Sequence, residues 1–137
     1  MRSVAARMAP ADELRLPPEA ASVAIARNAM AEVARRVGAP EGDVKLAVSE
    51  AVSNAVTHAF RGREPGTITV NAEQGQGRLQ IRVSDDGIGM TPNLESTGLG
   101  FGVSLIARVT SEVQLDSSRK GTVVRMAFDT NRGGEVV

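Results

Sequence analysis

Glu50 and Asn54 stand four residues apart in the run Leu46-Ala47-Val48-Ser49-Glu50-Ala51-Val52-Ser53-Asn54-Ala55-Val56-Thr57-His58. Ala47, Val48, Ala51, Val52, Ala55 and Val56 recur around them at helical spacing, which predicts an amphipathic helix. Residues four apart on such a helix stack about 6 Å from one another on nearly the same face. A carboxylate and a carboxamide therefore project together from an otherwise apolar element. Glu50, set among small apolar neighbours, is partly desolvated, an environment that suits a base. Asn54 is a mediocre helix former that gains little in mid-helix unless its side chain has a partner. Its oxygen suits one position of an octahedral Mg²⁺, an ion that keeps several waters and relies on substrate phosphates. A solvated glutamate on a surface helix and a local amide hydrogen bond would give the same pattern.

Two glycine-rich stretches follow. Asp85-Asp86-Gly87-Ile88-Gly89 comes directly after a predicted strand. Its glycines allow a sharp turn and a close approach to a flat ligand, and a carboxylate there can accept from an exocyclic amine such as that of adenine. Gly98-Leu99-Gly100-Phe101-Gly102 opens a predicted helix. Free N–H groups and the positive dipole end at such a start suit phosphate. Neither stretch is a Walker loop or a dinucleotide fingerprint. Gly121-Thr122 begins the last predicted strand, as an ordinary hairpin turn also would. His58, the sole histidine, rules out a metal site built on paired histidines and reads as a cleft-wall or exposed side chain. Each feature is common singly; their ordered set is not.

The elements that must position these residues are legible in the patterning. Glu13–Leu16 reads as a short edge strand stopped by Pro17-Pro18, and a helix from Glu19 to Val37 carries Val23, Ala26, Met30, Val33 and Val37 on one face, with Gly38 as its stop. The Glu50 helix is expected over Glu41–Ala59. Alternating Ile68, Val70, Ala72 and Leu79, Ile81, Val83 predict a hairpin turning at Gly75-Gln76-Gly77. A third helix over Gly102–Thr110 and strands Glu112–Asp116 and Thr122–Phe128 complete the series. Helices first and hairpins later predict a two-layer α/β sandwich, a mixed and mostly antiparallel sheet with about three helices on one face.

Composition bounds the rest. The 137 residues are enough for one domain with its own core, and the absence of cysteine removes disulfides and thiolate metal sites. Sixteen basic residues balance sixteen acidic ones, and only three aromatic residues, all Phe, are present. That argues against a nucleic-acid or anionic-membrane surface. Arg7 interrupts the N-terminus before any apolar stretch forms, so neither a signal peptide nor a membrane span is expected, and the default location is the cytoplasm.

The motif set resembles the Bergerat fold of the GHKL ATPase superfamily, and within it the RsbW-type anti-sigma factor serine/threonine-protein kinases. The resemblance covers about residues 13–128, between a flexible leader (1–12) and a flexible tail (129–137). Val48 to His58 is similar to that family's N box, Asp85 to Gly89 to its first glycine box, Ser96 to Gly102 to its second and Asp116 to Thr122 to its last. The resemblance implies that Glu50 is the general base and Asn54 the Mg²⁺ ligand. It implies that Asp85 reads the adenine amino group, that Gly87 and Gly89 shape the adenine pocket, and that Gly98, Gly100 and Gly102 bring N–H groups to the phosphates of ATP. Thr122 would lie near Asp85, and Arg27 falls where the family presents an arginine to protein partners. The implied partners are a sigma factor, which is held inactive, and a STAS-domain anti-anti-sigma factor, which is phosphorylated on serine; a homodimer is also a family trait. One departure stands out. Only Met90–Thr97 separates the glycine boxes, with no Lys or Arg. Phosphoryl transfer depends on neutralising charge on the γ-phosphoryl group, so a nucleotide-gated binding module without transfer is the competing reading.

Overall fold

Pro17 and Pro18 separate a four-residue strand from the first long helix, as their missing N–H groups dictate. The computed structural model describes residues 12–59, 66–86, 105–118 and 121–130. In chain order these form β1 (Glu13–Leu16), α1 (Ala20–Val37), α2 (Glu41–Asn54), a π-helical turn (Ala55–Ala59), β2 (Ile68–Gly75) and β3 (Arg78–Asp85). A helical segment α3 over 105–109 follows, then β4 (Glu112–Ser118) and β5 (Gly121–Asp129).

Helix α1 begins where the Ser22 hydroxyl donates to the Pro17 carbonyl at 2.6 Å. It ends at Gly38, whose φ of 83° is the left-handed conformation that glycine adopts without strain. Arg35 and Arg36 occupy its last turn, while Glu41 and Asp43 occupy the first turn of α2, each the favourable sign for the helix dipole. Pro40 breaks the path between the two helices, which then pack side by side.

The five strands form one sheet in the order β1-β2-β3-β5-β4, antiparallel at every pairing. The β2–β3 hairpin closes between Gly75 and Arg78, with Gln76 at φ 54° and Gly77 at φ 77°. Two central residues at positive φ make the primed turn whose twist matches the strands. Ile68, Val70, Ala72, Leu79, Ile81, Val83, Val124, Met126 and Phe128 face the helices and are buried. Met30, Val33 and Val37 of α1, Val44, Val48 and Val52 of α2, and Ile106 of α3 fill the other side of this core. Each such side chain contributes about 1.5–3 kcal/mol on burial. The opposite sheet face is polar, crossed by exposed ion pairs of Arg78 with Glu112 (2.9 Å) and Arg125 with Asp116 (2.5 Å). The hydrogen bond that Arg78 donates to Glu112 raises the guanidinium pKa above its already high ordinary value.

The expected architecture is the observed one, with several boundaries moved. β4 and β5 run on through Ser118 and from Gly121, because Ser117 pairs with Thr122 and Ser118 with Gly121. The second helix is α-helical only to Asn54. At the chain's lower edge Asp12 is buried, and its carboxylate accepts from Arg36 Nη2 at 2.7 Å. At the upper edge the Thr130 N–H donates to the Gly77 carbonyl.

Candidate functional site

The inward alternation of β3 runs Leu79, Ile81, Val83 and then Asp85, so an aspartate occupies the last helix-facing position of a buried strand. Register sets Asp85 between Ile68 of β2 and Thr122 of β5, and Thr122 opposite Ser117 of β4. One row across four strands thus carries a carboxylate and two hydroxyls at the end of an otherwise apolar face. Thr122 is buried, its Oγ1 3.5 Å from Ser117 Oγ, and Asp85 is half-buried. Asp86 has the opposite orientation and a structural duty: its Oδ1 accepts the Thr67 N–H at 2.9 Å, tying the start of β2 to the end of β3. The two adjacent aspartates are therefore not equivalent, and Asp85 is the one on the helix side.

Gly121 completes this end of the sheet. Its φ is +133°, and a side chain there would run into the Asp85 carbonyl oxygen. A hairpin turn is all that the Gly-Thr pattern reveals in one dimension; the close approach to Asp85 is visible only in the fold.

Above the sheet, α2 buries Val44, Ala47, Val48, Ala51 and Val52. It rests against β3 and β5, the strands that carry Asp85 and Thr122. Glu50 and Asn54 flank that buried stripe on one side, both half-buried. Neither makes a side-chain hydrogen bond among the described residues, although a buried or half-buried polar group ordinarily finds a partner. Immediately after Asn54 the chain enters the π-helical turn Ala55–Ala59, and its wider winding breaks the four-residue register. The side chain of His58 lies outside the described residues.

Gly87, Gly89, Gly98, Gly100 and Gly102 also lie outside the described residues, as does the Met90–Thr97 connection. Arg27 is half-buried on α1 and has no ion pair among the described residues. Among the described residues no group of three or more His, Cys, Asp or Glu side chains is arranged to hold a metal by itself. The single amide oxygen of Asn54 fits a Mg²⁺ that takes most of its ligands from phosphate and water, and does not fit an ion caged by protein. A carboxylate beside a buried hydroxyl at the rim of an apolar sheet fits the amino edge of a purine. The polar sheet face holds an open depression of about 440 Å³ lined by Glu73, Arg78, Gln80 and Glu112. It is on the far side of the sheet from Glu50 and lacks the apolar walls of a small-molecule site.

The sequence pattern of the histidine kinase-like ATPase domain family matches residues 16–128. Serine-protein kinase RsbW of Listeria innocua is 44% identical over 78 residues, covering 54% of this chain and 49% of that protein. The anti-sigma F factor of Clostridium novyi is 36% identical over 98 residues, covering 61% of this chain and 67% of that protein. Against the RsbW relatives the match spans about half of their length. The histidine kinase domain of the Erythrobacter litoralis EL346 blue-light activated histidine kinase shares the fold, with a TM-score of 0.61 at 22% identity over 85% of this chain and 63% of that one.

Proposed function

This chain belongs to the histidine kinase-like ATPase domain family, and from that footing we propose that it is an ATP-binding anti-sigma factor that phosphorylates a serine of its antagonist. In this reading residues 13–128 are the kinase domain, with 1–12 as leader and 129–137 as tail. The observation that carries it is the pair Glu50 and Asn54, without a side-chain hydrogen bond among the described residues, on the helix packed against β3 and β5, the strands that carry Asp85 and Thr122. Relatives named serine-protein kinase and anti-sigma F factor support this reading, in which the chain sequesters a sigma factor and phosphorylates a STAS-domain anti-anti-sigma factor.

Asp85 would accept from the adenine amino group, with the Thr122 hydroxyl beside it. Gly87 and Gly89 would shape the adenine pocket, and Gly98, Gly100 and Gly102 would offer N–H groups to the phosphates. Mg²⁺, when bound, would neutralise phosphate charge, and Asn54 is the residue that would hold it. Glu50 would take the proton from the serine hydroxyl as its oxygen bonds to the γ-phosphorus; the bond to the β–γ bridging oxygen breaks and ADP leaves. Arg27 would meet the protein partners, and two copies of the chain would form a dimer. No described helix is long and apolar enough to cross a membrane, in keeping with a cytoplasmic regulator.

Labelled ATP, Mg²⁺ and a serine-bearing STAS protein test the reading. Labelled phosphoserine is expected, and its loss in Glu50→Gln. A stable complex with no label would instead favour the nucleotide-gated binding module, the alternative that the short Met90–Thr97 connection, with no Lys or Arg, supports.

A further inference from the structure

We propose that Gly121 is a positioning residue for nucleotide selectivity: its missing side chain sets how deeply the start of β5 seats against the Asp85 backbone, and so where the Asp85 carboxylate stands. The inference rests on the reading of Asp85 as the purine contact. A Cβ at position 121 would collide with the Asp85 carbonyl oxygen and, at 2.9 Å, with its carbonyl carbon, and would crowd Asp86 Cα at 3.1 Å. All three belong to backbone, so no rotamer change relieves the clash. The segment cannot retreat freely either, since Asp86 is tied on its other side by the Thr67 N–H at 2.9 Å. Ser118 pairs with Gly121, and Ser117 with Thr122, bracing β5 from the third side. Any side chain at 121 must therefore part the β3 and β5 ends at the row that carries Asp85 and Thr122.

Gly77 is the internal control. It too has a positive φ, +77°, but a Cβ there meets nothing within 4 Å, and it lies in the turn at the opposite end of β3. Gly77→Ala bears the conformational cost without touching the row, whereas Gly121→Ala does both.

The test is calorimetric titration of the wild type and both variants with the Mg²⁺ complexes of ATP, GTP and inorganic tripolyphosphate. The wild type should prefer ATP to GTP. Gly77→Ala should keep its ATP affinity within about twofold. Gly121→Ala should lose about tenfold or more in ATP affinity, with the ATP-to-GTP preference reduced, while tripolyphosphate binding stays within about threefold. A Gly121→Ala protein that keeps the wild-type preference, or loses ATP and tripolyphosphate alike, overturns the inference and leaves the adenine reading standing. A wild type that does not bind ATP removes the adenine reading itself, and this inference with it. A variant-free measurement guards against Gly121→Ala failing to fold. On saturation of the wild type with ADP, the Gly121 amide resonance should move while that of Gly77 does not; an unmoved Gly121 resonance overturns the proposal.

Discussion

A carboxylate that accepts a proton and an amide that holds a cation make different demands, and separate substitutions resolve them. Glu50→Gln keeps size and hydrogen bonding but cannot take a proton, so phosphoryl transfer should fall by about a hundredfold or more while ATP affinity changes by less than about threefold. Single-turnover assays beside equilibrium titrations check this; equal losses in both would contradict the assigned role. Asn54→Ala should instead flatten the Mg²⁺ dependence of ATP binding, and an unchanged magnesium titration would count against it. Asp85→Asn replaces an acceptor oxygen by a donor at the purine edge, which should weaken ATP binding by about 1–3 kcal/mol in competition titrations. The helix and strand faces on which Glu50, Asn54 and Asp85 stand were legible in the sequence, because helical and strand periodicities fix them. The contact of Gly121 with Asp85 was not, because a turn glycine and a close-approach glycine look alike without the partner strand. Nor was the division of labour between Asp85 and Asp86, which the Thr67 hydrogen bond decides.

At the scale of elements, the helix ends and turns make their own predictions. Gly38 terminates α1 at φ 83°, so Gly38→Ala should cost about 1 kcal/mol in denaturant unfolding. Gly42 lies in the first turn of α2 with open space where a Cβ would go, and Gly42→Ala should stabilise by about 0.5–1 kcal/mol in the same assay. A result of opposite sign at either position would mean that the local backbone differs from the one described. The prolines, Gly38 and the β2 and β3 alternation announced these boundaries well, since each acts through local sterics or a two-residue period. β4 and β5 extend further than expected because Ser117, Ser118 and Gly121 are poor strand formers held in the ladder by their partners. The π-helical turn after Asn54 was not legible at all: Ala55-Val56-Thr57-His58-Ala59 continues the helical pattern without a break, and nothing in the structure explains why the register widens there.

For the molecule as a whole, the antiparallel sheet is the scaffold and the helix layer its cover. The apolar core of Val, Ile, Leu, Met and Ala was foreseeable from composition, and so was the polar outer face from strand alternation. The order β1-β2-β3-β5-β4 was not, because hairpins specify neighbours in sequence but leave β5 free to insert between β3 and β4. That insertion brings Thr122 and Gly121 beside Asp85, and the central claim, a purine nucleotide site at this end of the sheet, depends on it. Calorimetric titration of the wild-type chain with ATP and GTP, each with and without Mg²⁺, tests it most directly. The account predicts saturable ATP binding that strengthens with Mg²⁺ and GTP binding weaker by about tenfold or more. No ATP binding in either condition, or equal affinity for the two nucleotides, would contradict it.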